Sequence, residues 1–345
     1  MARYRFASFG RTTKARLARI GRQAFGAFVA AVVAASAPVA AQELKLDRAL
    51  NEEVVQVPVL VETANRVEQW SLVATTFHPP GAGPFPLVVL NHGSPGSLWE
   101  RQSMGRYRPL PQIREFTKRG FAVIAPMRRG YGDTGGPWAE RFGACIAPDY
   151  YRAARESEKD VIAAVEFAQA LPFVKADRVI LVGQSAGGIA AIAAASANLP
   201  GVIGVVNFSG GRGGRPYTNP GDPCVAGNMT EAIAKLARTI QVPVLWHYAE
   251  NDQFFAPRHV KAWFRAFENA GAKGRLVMQP SFQWDGHAIF GADRGLPIWT
   301  AAFDRFLKDI RLAPPVTATA APTMEKAARS LPAKVQAAPA TRDGT

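Results

Sequence analysis

A chain of 345 residues, with 48% apolar and 20% charged side chains, is long enough for two small domains, although α/β enzymes commonly use such a length for one core plus additions. Its 41 basic and 27 acidic residues give a formal charge of +14. There is neither a basic stripe with interleaved aromatics nor a recognised nucleic-acid motif, so no nucleic-acid partner is expected. Two cysteines, neither with a histidine at ligand spacing, exclude a convincing zinc site, and no metal or organic cofactor is expected.

The chain opens with Arg3, Arg5, Arg11, Lys14, Arg16, Arg19 and Arg22, then an apolar run over 24–35 and small residues up to Ala41. This order predicts a signal peptide over 1–41 and export to the periplasm or the exterior. The apolar run is shorter than the roughly 20 residues a spanning helix needs, so no permanent membrane insertion is expected after cleavage. Removing the leader halves the formal charge, from +14 to +7. In an oxidising compartment Cys145 and Cys224 are expected to form a disulfide between two long loops.

Alternating residues over 54–61 predict a first strand, at a sheet edge because Pro58 cannot donate a ladder hydrogen bond. Residues 70–77 read as its partner. Short apolar or β-prone runs follow at 87–90, 121–125, 179–182, 202–206, 242–246 and 275–278, making eight strands in all. Between or after them lie helical patterns at 113–118, 151–170, 185–198, 230–238, 258–270 and 296–309. Continuous apolar strands alternating with helices predict an α/β fold, a mostly parallel eight-stranded sheet flanked by helices. The catalytic domain is placed at 42–311. The segment 312–345, rich in Ala, Pro and Thr, reads as a flexible tail, because it buries too little apolar surface to offset ordering entropy.

Ligands of such a sheet bind beyond the C-terminal ends of its strands, and the chemically suggestive residues fall there. Gly183-Gln184-Ser185-Ala186-Gly187-Gly188 joins an apolar strand to an alanine-rich helix, the setting in which a G-x-S-x-G turn holds a nucleophilic serine. An unassisted hydroxyl is a poor nucleophile at neutral pH, so Ser185 needs a base. His287, between the last strand and the last helix, is the candidate. Asp252, at another strand end, is the candidate orienting carboxylate, with Glu250 the alternative. The chain order Ser185, Asp252, His287 is that of the α/β-hydrolase sheet.

A tetrahedral intermediate needs donors for its oxyanion. Ala186 N–H is the first candidate, and Gly93 or Ser94 supplies the second, because Pro95 has no N–H. His92 is expected to support this turn by hydrogen bonding. Trp99, Arg128, Tyr131, Phe208, Phe254 and Trp284, on loops at strand ends, are candidate substrate-binding residues. Arg128, with Arg129, Arg212 and Arg215, raises the question of an acidic substrate.

These motifs resemble those of the serine α/β-hydrolases related to dienelactone hydrolase, with further similarity to exported esterases and to the catalytic domains of prolyl-oligopeptidase-like enzymes. The resemblance spans roughly residues 51–311 and rests on the 91–96 turn, the Gly183–Gly188 motif, the 249–252 acid loop with Pro257, and Gly286-His287-Ala288. It implies Ser185 as nucleophile, Asp252 as acid, His287 as base, and an oxyanion site at Ala186 and the 92–94 turn. Dienelactone-cleaving enzymes themselves use cysteine, so a serine implies a general ester or amide hydrolase. The expected activity is carboxylic-ester hydrolysis of a small molecule through an acyl-enzyme. The alternatives are a serine peptidase for short peptides and a catalytically silent binding protein. Oligomeric state is not legible in the sequence.

Overall fold

The computed structural model describes residues 45–63 and 65–312, so the expected leader and the tail beyond 312 lie outside the described residues. Among the described residues eight strands form one sheet: β1 (Glu53–Glu62), β2 (Val67–Phe77), β3 (Phe85–Asn91), β4 (Ala122–Pro126), β5 (Val174–Gln184), β6 (Val202–Phe208), β7 (Val244–Ala249) and β8 (Gly274–Gln279). Their spatial order is β1-β2-β4-β3-β5-β6-β7-β8. The pairs β1–β2 and β2–β4 are antiparallel and every later pair is parallel. Pro58 sits on the edge strand opposite Ser71, where no further strand needs its missing N–H.

Among the described residues there are seven α-helices: α1 (Leu98–Gln102), α2 (Leu110–Lys118), α3 (Tyr150–Gln169), α4 (Ala186–Ala195), α5 (Ala226–Ala237), α6 (Pro257–Asn269) and α7 (Leu296–Asp309). The period-two pleat divides each central strand between two cores. Leu87, Val89, Val179 and Leu181 pack with α3, α4 and α5 residues on one face. Val88, Leu90, Ile180 and Val182 pack on the other, against Ile113 and Phe116 of α2 and Trp299 and Phe303 of α7. Burial on both faces explains why these strands read as continuous apolar runs.

Two differences from the sequence expectation have local causes. The seventh strand begins at Val244 rather than at 242, because Pro243 precedes it and contributes only its carbonyl, to Val205 N–H. Helix α1 was not anticipated. Its signal is a capping box in which Ser97 Oγ accepts from Glu100 N–H and the Glu100 carboxylate accepts from Ser97 N–H. Only five residues long, the helix shows no apolar periodicity.

Cys145 and Cys224 are joined in a disulfide. It ties the segment between β4 and α3 to the segment between β6 and α5, beside Tyr150 Oη, which donates to the Cys224 carbonyl. Bridging residues 79 apart constrains the unfolded chain strongly. Replacing both cysteines by serine should therefore lower the unfolding free energy by about 2–4 kcal/mol, measured by urea denaturation under non-reducing conditions.

Candidate active site

Ser185 stands between β5 and α4 with φ 56° and ψ −123°, a left-handed conformation that costs a non-glycine residue on the order of 1–3 kcal/mol. Neighbouring packing holds it there. Ser185 N–H donates to Phe208 O at 2.9 Å, and its carbonyl accepts from Gly188 N–H and Gly211 N–H at 3.0 and 3.2 Å. The flanking glycines are required by closeness: a Cβ on Gly183 would lie 2.1 Å from Gly187 O, and one on Gly187 2.2 Å from Asn91 O.

The end of β3 comes up against this elbow. Asn91 Nδ2 donates to Val89 O and Val182 O, both at 3.1 Å, and so ties β3 to β5. Gly93 follows so closely that a Cβ there would be 3.3 Å from Ser185 Cβ. Ala186 N–H opens α4 and has no preceding turn to bond. Both backbone segments proposed for oxyanion binding thus adjoin the serine.

His92 supports this turn. Its Nε2 accepts from Arg128 N–H at 3.1 Å, which leaves Nδ1 protonated and donating to Gly93 O at 2.7 Å. Burial, reinforced by the Arg128 guanidinium, depresses its pKa to about 3, so the ring is neutral at physiological pH. Its ring meets Tyr131 edge-on at 4.5 Å.

The loops carrying Asp252 and His287 are joined to each other. His287 Nδ1 lies 3.1 and 3.0 Å from the two Asp252 carboxylate oxygens. Asp252 Oδ1 is aimed by two backbone donors, Phe254 N–H at 2.8 Å and Phe255 N–H at 2.9 Å. Phe254 stacks on the imidazole at 4.0 Å between ring centroids. Glu250, the alternative acid, is exposed, whereas Asp252 is buried.

Two residues that sequence reasoning missed complete the arrangement. Asp285 Oδ1 accepts from Gln253 N–H at 3.0 Å and from His287 N–H at 2.9 Å, bridging the residue after Asp252 to His287. Gln184 Nε2 donates to His287 O at 3.1 Å, tethering the base loop to the residue before Ser185. Asp285 carries a legible signal, an acceptor two residues before a short turn; Gln184 carries none, because its partner is 103 residues away. Ser185 Oγ and His287 Nε2 are not hydrogen-bonded in this structure, and such contacts commonly tighten only with substrate.

The candidate substrate-binding residues divide. Phe254 lies against His287, and Trp99 on α1 and Trp284 on the loop after β8 are exposed. Three others do not line an open cleft. Phe208 is fully buried, stacked on Phe290 at 4.5 Å and edge-on to Trp299, because its strand end faces the α7 core. Tyr131 is fully buried, its hydroxyl accepting from Trp138 Nε1 at 2.9 Å.

Arg128 is also fully buried, and its Nε donates to Glu140 Oε1 at 2.8 Å. The other Glu140 oxygen accepts from Arg212. Burial alone would raise the Glu140 pKa, but the two guanidiniums hold it at about 2. Arg129 is likewise committed, to Asp160 through its backbone N–H and its Nε at 2.8 and 2.6 Å. These arginines link the loop after β4 to α3 and to the loop after β6; Arg128, Arg129 and Arg212 are all buried, so none offers an exposed guanidinium to an acidic substrate, although Arg128 Nη1 and Nη2 have no hydrogen-bond partner among the described residues.

A cleft of about 420 Å³ lined by Gly83, Phe85, Lys175 and Arg178 lies at the opposite ends of the parallel strands, away from this site. Among the described residues no group of three or more His, Cys, Asp or Glu side chains could hold a metal ion.

The sequence profile of the dienelactone hydrolase family matches residues 112–302, which include Ser185, Asp252 and His287. No curated protein matches the chain in sequence. Among solved structures, an esterase from Pyrococcus furiosus is 17% identical, with 76% of this chain and 92% of that chain covered and a TM-score of 0.51. An acylaminoacyl peptidase from Pyrococcus horikoshii is 16% identical over 74% of this chain and 41% of that chain, again with a TM-score of 0.51. At these identities the two share the fold with this chain.

The Gln184 tether generates one expectation. Gln184→Met keeps length but loses the donor, so ester turnover should fall by about 3–10-fold at unchanged KM, read by steady-state kinetics, with the melting temperature preserved. His92 generates another. The unfolded chain takes up a proton near pH 6.5 that the native ring refuses until about 3. The stability advantage over a His92→Asn variant is therefore full above about 6.5 and should erode by up to about 1.4 kcal/mol per pH unit on acidification, measured by denaturation at a series of pH values.

Proposed function

This chain belongs to the dienelactone hydrolase family, and from that premise we propose that it is a serine-dependent carboxylic-ester hydrolase acting on small-molecule esters through an acyl-enzyme. The observation that carries the reading is the buried Asp252–His287 pair, hydrogen-bonded at 3.0 and 3.1 Å, held by Gln184 to the strained Ser185 elbow.

The order of steps follows from the donors and acceptors. His287 Nε2 takes the proton of Ser185 Oγ as the oxygen attacks the ester carbonyl, and Asp252 holds the opposite nitrogen in the protonated tautomer and stabilises the imidazolium. Ala186 N–H and the Gly93–Ser94 turn receive the oxyanion. The imidazolium returns its proton to the departing alcohol. Water then repeats the sequence on the acyl-enzyme, releasing the acid and restoring the serine.

Serine in place of the cysteine of dienelactone-cleaving enzymes supports general ester hydrolysis. The Cys145–Cys224 disulfide, together with the leader expected over 1–41, supports an exported enzyme.

Ser185→Ala should keep the fold and abolish labelling by a fluorescent phosphonate, with p-nitrophenyl butyrate hydrolysis reduced by at least about 10³-fold. Peptide mapping of the labelled parent protein should return the peptide containing Ser185. Undiminished hydrolysis by the purified variant would reject the mechanism.

A further inference from the structure

Ten large apolar side chains are exposed among the described residues, and their distribution is uneven. Leu98, Trp99, Ile146, Tyr217, Val225 and Trp284 all lie in segments following the C-terminal ends of parallel strands, on the rim where Ser185 sits. Scattered exposed apolar residues are ordinary, but six of the ten falling beyond the same ends of the parallel strands is uneven and points to a surface that meets something apolar.

The six are tied to the site by short links. Leu98 and Trp99 open α1 directly after the turn that carries Gly93. Trp284 is three residues before His287. Ile146 and Val225 each adjoin a cysteine of the disulfide, which brings their two loops together. Tyr217 belongs to the loop between β6 and α5, whose Gly214 is so close to Phe254 that a Cβ there would lie 2.7 Å from its ring. Phe254 in turn stacks on His287. The exposed side chains therefore stand on segments linked to the Gly93 turn, to the His287 loop and to the disulfide.

This placement restricts the occupant. A folded protein seated on all of these loops would cover Ser185 and stop turnover. An apolar phase composed of the substrate itself can touch the whole rim and still deliver an ester to the serine. We propose that the loops around Ser185 form an interfacial rim, and that the enzyme takes water-insoluble esters from the surface of a droplet or micelle. This rests on the ester-hydrolase reading and names the substrate class for that site. The rim gains by removing exposed apolar area from water, which scales with the area covered, while the acyl transfer at Ser185 is unchanged.

Ile146 and Tyr217 are the most exposed of the six, at 89% and 94%, so serine there should leave stability nearly intact. Tributyrin supplies one substrate in two states, dissolved below its solubility limit and emulsified above it. The parent protein's rate should rise by at least about fivefold on crossing that limit, beyond the plateau of its dissolved-substrate kinetics. Ile146→Ser/Tyr217→Ser should match the parent on dissolved tributyrin within about twofold and lose most of the rise on droplets, about fivefold or more. A parent rate that stays on the dissolved-substrate plateau across the limit would overturn the proposal, as would equal rates of both proteins on droplets, which would leave the rim to a protein partner. Failure of the underlying reading looks different: no hydrolysis of dissolved tributyrin and no phosphonate label on Ser185.

Discussion

The positive φ of Ser185 is the constraint to which the surrounding structure answers. A serine takes that conformation only if its backbone is held from several sides, and β3, β6 and the loop after β6 do so through Phe208 O, Gly211 N–H and the close approach of Asn91. The same closeness lifts the hydroxyl to the rim and brings Gly93 against it. Strain at the turn, glycine on either side and proximity of the oxyanion turn are thus one packing problem with one solution.

Around that elbow, buried charged groups pair with one another, although Arg128 Nη1 and Nη2 and Arg212 Nε and Nη1 have no hydrogen-bond partner among the described residues. The Arg128–Glu140–Arg212 cluster fastens the loop after β4 to the loop after β6, and the Arg129–Asp160 pair fastens it to α3. Breaking such a pair leaves an uncompensated buried charge, so these contacts specify one loop arrangement whatever their net contribution to stability. His92 joins this framework to the oxyanion turn as a neutral ring. On the other side, Asp285 and Asn251 join the acid and base loops, with Asn251 Oδ1 accepting from Phe282 N–H at 2.8 Å. The loops carrying Asp252 and His287 are therefore anchored mainly through short polar side chains and backbone groups.

Much of the site was legible because its residue types have few alternatives at those places. A glycine-flanked serine after an apolar strand, a histidine after the last strand and an aspartate at a strand end each follow from local pattern, and their chain order points to one sheet. Arg128, Tyr131 and Phe208 read as pocket residues because loops at strand ends usually face ligand. Each instead turns inward, toward Glu140, His92 and Phe290 respectively. Nothing local distinguishes an arginine aimed at a substrate from one aimed at a glutamate twelve residues on.

By itself the sequence determined the strands and helices, the two-faced burial of the sheet, the elbow at Ser185 and the order of its partners, because these depend on periodicity and on residues with restricted backbone preferences. Tertiary structure alone decided the separations and partners: that Gln184 reaches His287, that Glu140 stands between two arginines, and that Trp99 and Trp284 are exposed. Such contacts join residues far apart in the chain, and their energies depend on distance and desolvation, neither of which a linear pattern encodes.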